Sequence, residues 1–295
     1  MSRPLVTTND TTDAAHPVVL GPLPMRTYSR RQALAAVERN FAPGPVVPVA
    51  FVNAHTMLMA MKSEAYAETL SRFLLLNDGI GLDIANLLLN GHAFPENLNG
   101  TDFVPDLLAS TSKPLSIYLL GARPDVVARV ASVIEREHPR HRVVGFRDGY
   151  FRKDETPAVI AAINAVSPDL LLVAMGNPLQ EFFIAEHLGA LDCRVAMGVG
   201  ALFDFMAERV PRAPRFMRKA GMEWVFRFMT EPRRLGHRYT VEIAEFLGRV
   251  AALKVGQWLH GRTPPIATIG FDRRADTAAE PRFGDRTGAD PHVGR

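Results

Sequence analysis

Apolar residues along this chain fall into two alternating patterns. Short, nearly continuous runs occur at residues 46–52, 73–76, 115–120, 142–146, 170–175 and 195–199, each bounded by Gly, Pro, Asp or Asn. Four to eight apolar residues between turn signals predict buried strands, and continuous rather than alternating runs predict a sheet covered on both faces. Between the runs lie stretches of helical length. Residues 54–71 place Met57, Leu58, Met61 and Ala65 on one face, and residues 124–137 do the same with Val126, Val127, Val130, Val133 and Ile134. The predicted fold class is therefore α/β, with a mostly parallel sheet joined by βαβ crossovers. Residues 1 to about 30, polar and broken by Pro17, Pro22 and Pro24, read as a flexible leader. Residues 31–205 form the α/β core, and residues 206–262 are basic, aromatic and helical in pattern. Residues 263–295, rich in Arg, Asp, Gly and Pro, read as a disordered tail.

In open parallel sheets ligands bind beyond the carboxyl ends of the strands. Polar residues and glycines gather there in this sequence: Asn53; Asn77-Asp78-Gly79-Ile80-Gly81; Gly121-Ala122-Arg123; Gly149-Tyr150; Gly176-Asn177-Pro178-Leu179-Gln180-Glu181; and Gly198-Val199-Gly200. Asp78 either takes a proton from an attacking hydroxyl or caps the helix that follows. Asn177 and Pro178 suit a plain helix start, which gives no reason for Gln180, whereas amides suit a sugar or a uracil. Backbone N–H groups after Gly198 could face a diphosphate. Asp204 could accept from a ribose or a base, or simply pair with the dipole of its helix.

Composition narrows these options. The chain has 295 residues, 47% apolar and 22% charged, which is globular. The lone cysteine, Cys193, excludes an internal disulfide and fits a reducing cytoplasm. The nine histidines show no metal spacing and no Asp-x-Asp pair occurs, so the expectation is a site without metal or other cofactor. No apolar run reaches the roughly 18 residues of a membrane span, and the first residues lack a signal-peptide pattern. Residues 209–238 carry nine basic residues against two acidic ones, a net +7 that leaves the remainder of this +3 chain acidic. Phe216, Trp224, Phe226, Phe228 and Tyr239 are interleaved with them. That combination fits a solvated helix face or an anionic membrane surface better than nucleic acid, for which no recognised module accompanies it.

Taken together, the motifs resemble the WecG/TagA/CpsF glycosyltransferases of bacterial surface-polysaccharide assembly. The likeness runs from about Val46 to Tyr239. Besides the strand-end motifs it rests on Asn99-Gly100-Thr101-Asp102, Gly198-Val199-Gly200-Ala201-Leu202-Phe203-Asp204-Phe205, Arg212-Ala213-Pro214, Gly221-Met222-Glu223-Trp224 and Glu231-Pro232-Arg233-Arg234. The resemblance implies a Rossmann-like core with a C-terminal helical appendage. It implies inverting transfer of a sugar from a UDP-sugar to a polyprenyl-diphosphate-linked sugar, on the inner face of the bacterial plasma membrane. It makes Asp78 the general base, and Asn53, Asn77, Tyr150, Asn177, Gln180 and Asp204 the substrate contacts. Arg227 and Arg234 would face lipid phosphate or the membrane. The chain departs from the family pattern at Phe51, Asn97 and His237, which leaves the donor open between UDP-glucose and UDP-N-acetylmannosamine. Two other function classes are a non-catalytic nucleotide- or polyanion-binding regulator and an NAD-dependent oxidoreductase. The missing three-glycine fingerprint speaks against the latter.

Overall fold

The computed structural model describes residues 15–209, 213–214, 217, 223–230, 236 and 238–260. The 263–295 tail, Arg234, His237 and the side chain of Arg227 lie outside the described residues.

All six strands expected from the apolar runs form. They are β3 (Val47–Val52), β4 (Leu74–Asn77), β5 (Ser116–Gly121), β6 (Arg142–Arg147), β7 (Leu170–Ala174) and β8 (Val195–Gly198). They make one parallel sheet in the order β4-β3-β8-β7-β5-β6. Successive side chains of a strand point to opposite faces. Along β7, Leu171 and Val173 enter one core and Leu170, Leu172 and Ala174 the other. The first core is closed by α2 (Ala54–Lys62), α3 (Glu64–Ser71), α4 (Ile80–Asn90), α7 (Thr156–Asn164) and α8 (Leu179–His187). The second is closed by α1 (Arg30–Glu38), α5 (Gly100–Ser110), α6 (Pro124–Glu137) and α9 (Leu202–Met206). Helix α6 matches its predicted bounds: Pro124 starts it, and Val126, Val127, Val130 and Ile134 are buried as its spacing requires.

Two expectations are corrected. Residues 16–27 of the expected leader form an antiparallel hairpin, β1 (His16–Leu20) paired with β2 (Leu23–Thr27). Leu20, Leu23 and Met25 are buried beside α3 and α4. Three prolines argue against a central strand, but this two-stranded ribbon lies outside the main sheet, where proline is tolerated. The single helix over 54–71 is two helices. Ser63 is extended (φ −125°, ψ 117°), and its hydroxyl accepts the Tyr66 N–H, restarting the chain as α3. The apolar spacing runs on across this joint, so periodicity alone does not reveal it.

After β8 and α9 the described chain continues as α10 (Glu223–Thr230) and α11 (Ile243–His260). Helix α11 returns to the core. Its Phe246 and Val250 are buried against α2 and α4, while Glu245 pairs with Lys62 and Glu242 with His55. Among the described residues no helix is long and apolar enough to cross a membrane.

Candidate active site

The register of β3 and β4 sets the centre of the site. Val52 pairs with Asn77, so the next residues, Asn53 and Asp78, leave adjacent strand ends side by side. The Asp78 N–H donates to the Val52 carbonyl at 2.8 Å, extending the ladder by one bond. Asn53 caps α2: its Oδ1 accepts the Thr56 N–H at 3.1 Å. With Oδ1 committed there, its Nδ2 end lies 3.4 Å from Asp78 Oδ2. The cap of α2 thereby orients the carboxylate at the head of α4. Gly79, at φ 91°, turns the chain from β4 into α4, and Asn97 Oδ1 accepts its N–H at 2.9 Å. The N-cap position of α4 is Gly79, one residue after Asp78. It is half-buried, open enough to meet a hydroxyl from solvent.

Three residues flagged in the sequence take structural places. Asn77 is 1% exposed; its Nδ2 donates to the Glu96 carbonyl at 2.8 Å and its main-chain carbonyl accepts the Leu98 N–H, so it holds the 96–98 loop from beneath the surface. Phe51 packs its ring edge-on to Phe103 in the second core. Asn97 anchors the Gly79 turn and, through its carbonyl, the guanidinium of Arg30, which also binds Asp106.

A second cluster forms at the ends of β7 and β8. Gln180 is 2% exposed: its Nε2 donates to Glu181 at 2.7 Å, and its Oε1 accepts the Gly200 N–H at 3.0 Å. This supplies the structural reason for an amide at 180 that local turn chemistry could not. It also corrects part of the reading of residues 198–205 as facing a diphosphate: the Val199 N–H bonds Val173, the Gly200 N–H bonds Gln180 and the Leu202 N–H bonds Val199. Asn177 is half-buried and donates to Glu181 at 2.8 Å. Asp204 follows in the first turn of α9, also half-buried. Tyr150 is 44% exposed. The Gly149 N–H, donating to the Ala122 carbonyl, folds its loop over the end of β5. Two strands, β8 and β7, lie between β3 and β5, so three strand spacings, about 14 Å, separate them. Tyr150 and Asp78 therefore mark two ends of one strip along the carboxyl edge of the sheet.

Glu181 is the residue that sequence reasoning passed over. It is fully buried, and burial pushes its carboxyl up to about 7 against the pull of its hydrogen-bond donors. The unfolded chain releases this proton near the usual 4.5, whereas the folded chain holds it to about 7. The unfolded state thus binds fewer protons across that window, and stability falls as pH rises through it. Chemical unfolding of Glu181→Gln from pH 4.5 to 8 is expected to lack that decline. An identical decline in wild type and variant would show that this carboxyl titrates normally.

Comparisons with known proteins agree with this layout. Residues 18–259 match the model of the Glycosyl transferase WecG/TagA/CpsF family. Over 188 residues the chain is 34% identical to the N-acetylglucosaminyldiphosphoundecaprenol N-acetyl-beta-D-mannosaminyltransferase of Bacillus subtilis, covering 63% of this chain and 72% of that protein. It is likewise 34% identical, over 177 residues, to the protein of that name from Bacillus spizizenii, covering 59% of this chain and 68% of the relative. The matched span reaches from the hairpin through α11, taking in both strand-end clusters, and the chain belongs to the WecG/TagA/CpsF family of glycosyltransferases.

Proposed function

We propose that this enzyme moves a hexose or N-acetylhexosamine from a UDP-sugar to a polyprenyl-diphosphate-linked sugar, with inversion at the anomeric carbon, in cell-surface polysaccharide assembly. The relatives' names favour UDP-N-acetylmannosamine as donor and a lipid-linked N-acetylglucosamine as acceptor, and UDP-glucose is the second donor to test. The observation that carries the reading is the Asn53–Asp78 pair at adjacent strand ends. In this mechanism the acceptor hydroxyl attacks the anomeric carbon while Asp78 takes its proton and UDP leaves from the opposite face. The sugar lies at the β3–β4 end of the strip and the uridine near Tyr150 and Asp204. Asn177 contacts the donor between them. Gln180 acts from beneath by holding the Gly200 turn. Basic side chains of the appendage, Arg227 and Arg234 among them, meet the diphosphate charge. A screen of UDP-sugars against polyprenyl-diphosphate acceptors, with product stereochemistry read by NMR, tests it. One inverted glycoside is expected, and a retained configuration or no transfer from any UDP-sugar would overturn the reading.

The acceptor's lipid places the reaction at a membrane surface, and we propose peripheral attachment to the inner leaflet. The net +7 of residues 209–238 supports this. So do Ile80, Ile84, Leu87 and Leu88, exposed along one face of α4 that begins two residues after Asp78, and Trp258, 82% exposed near the end of α11. Each basic residue at an anionic surface contributes on the order of 1 kcal/mol, screened as salt rises. Sedimentation with vesicles of anionic lipid is expected, with release by about 1 M salt. Replacing Arg227 and Arg234 together by Glu should also release the protein, and should cut transfer to a lipid-linked acceptor far more than to a short water-soluble one. Unchanged vesicle binding in that variant would remove the basic segment from membrane contact.

A further inference from the structure

Three side chains converge on the carboxyl group of Glu181. Its Oε1 accepts from the Asn177 amide at 2.8 Å and from the Gln180 amide at 2.7 Å, and its Oε2 accepts from the Tyr66 hydroxyl at 3.1 Å. Glu181 and Tyr66 are both fully buried. A side-chain amide has two unlike ends: the NH₂ group donates and the carbonyl accepts. Once ionised, above about pH 7, the carboxylate accepts only, so it selects the NH₂ ends of both amides and turns both carbonyls away. The reverse orientation would press a carbonyl oxygen against a carboxylate oxygen within 3 Å. For Gln180 the result is visible, because its carbonyl is delivered to the Gly200 N–H. The backbone leaves room for this: a Cβ at Gly198 would lie 2.9 Å from Gln180 Nε2. For Asn177, half-buried at the mouth of the β7 turn, the carbonyl becomes the end held away from Glu181.

We propose that Glu181 is a positioning residue that sets the orientation of the Asn177 and Gln180 amides, so that Asn177 presents a hydrogen-bond acceptor to the nucleotide sugar and Gln180 holds the Gly200 turn beside it. This rests on the donor-binding role given to the β7 end above. It assigns to a residue that never touches substrate the choice between offering the donor an acceptor and offering it an N–H.

The test is a swap of donor and acceptor within the pair. Assayed at about pH 9, where Glu181 is ionised, Asn177→Asp sets two carboxylates face to face and should raise the donor KM about tenfold, leaving the acceptor KM unchanged. Adding Glu181→Gln removes one of the two facing charges and should bring the donor KM partway back, to within about fivefold of wild type, since one atom of the new amide cannot donate to the new carboxylate and accept from Gln180 at once. Glu181→Gln alone keeps a carbonyl for both amides and an NH₂ group for the Tyr66 oxygen, and should stay within about threefold. Glu181→Leu should raise the donor KM, but add less than about twofold on top of Asn177→Ala, since it acts through that amide. If Glu181→Leu does not fold, the swap pair still decides, as position 177 is half-buried and both residues are close in shape. Failure of Glu181→Gln to rescue Asn177→Asp, or full additivity of Glu181→Leu and Asn177→Ala, would overturn the assignment. Absence of wild-type transfer from any UDP-sugar would instead overturn the donor reading beneath it.

Discussion

Asp78→Asn should cost the enzyme about 10² to 10⁴ in kcat, the usual loss when a positioned base is removed, while UDP still binds within about threefold. The geometry makes this a clean substitution. Asn53 Oδ1 is committed to the α2 cap, so its NH₂ end must face residue 78, and an asparagine carbonyl there accepts as a carboxylate does. The Asp78 backbone bond to Val52 and the Asn97 anchor on Gly79 do not involve the carboxyl group. The melting temperature should therefore stay within about 2 °C of wild type, because asparagine keeps the size of the aspartate and an acceptor toward Asn53. Steady-state transfer and calorimetric UDP titration on one preparation check both halves. Transfer within about threefold of wild type would remove Asp78 from the role of base. A non-catalytic nucleotide binder would show the retained affinity with no turnover to lose.

The largest structural effect should come from Gly121→Ala at the end of β5. Gly121 sits at φ 129°, where residues with a side chain are strained, and a Cβ there would lie 2.3 Å from the Ala174 carbonyl oxygen, 2.5 Å from its carbon and 2.8 Å from its nitrogen. All three atoms are backbone of the neighbouring strand, so no rotamer change relieves the clash. Gly121 pairs with Ala174, and the Ala122 N–H donates to the same carbonyl at 2.9 Å. The two strand ends would have to separate where the candidate uridine end of the site is built. A loss of about 2–4 kcal/mol is expected, seen as a fall of roughly 5–15 °C in melting temperature for a domain of this size. Gly189→Ala, where a Cβ meets nothing within 4 Å, serves as the control and should change little. Equal melting of the two variants would show that β5 and β7 can part at no cost.

The strands were legible because each is a continuous apolar run, and such a run has few other places to go than between two helical layers. Their order was not. Sequence places Asn53 and Asp78 each at a strand end, but only the adjacency of β3 and β4 brings them to 3.4 Å. The hairpin was missed because Pro17, Pro22 and Pro24 outweighed the alternation of Val18, Leu20, Leu23 and Met25. The 198–200 turn was misread because what uses its amides is set by long-range contacts: Gln180 lies 20 residues earlier in the chain and reaches Gly200 only once β7 and β8 have paired. Glu181 was passed over because an acid in the first turn of a helix ordinarily faces water. The i, i+4 spacing from Asn177 was the available sign that the two side chains share a face.

Helix α11 has a bearing on how the enzyme comes into being. Asn53 and Asp78 stand at the heads of α2 and α4, and those two helices are clamped together by Glu242, Glu245, Phe246 and Val250. Phe246 reaches the groove where α4 passes closest to α2, 3.9 Å from the Cβ that Gly81 lacks. A chain growing from its N-terminus on the ribosome thus makes its proposed reactive residues in the first third and their brace in the last fifth. The sheet can form as soon as β8 is out, but the two helices that aim the reactive pair stay unbraced until residue 250 has emerged. A nascent chain stalled short of that point would carry a folded sheet and both reactive residues, yet no rigid pair to act with.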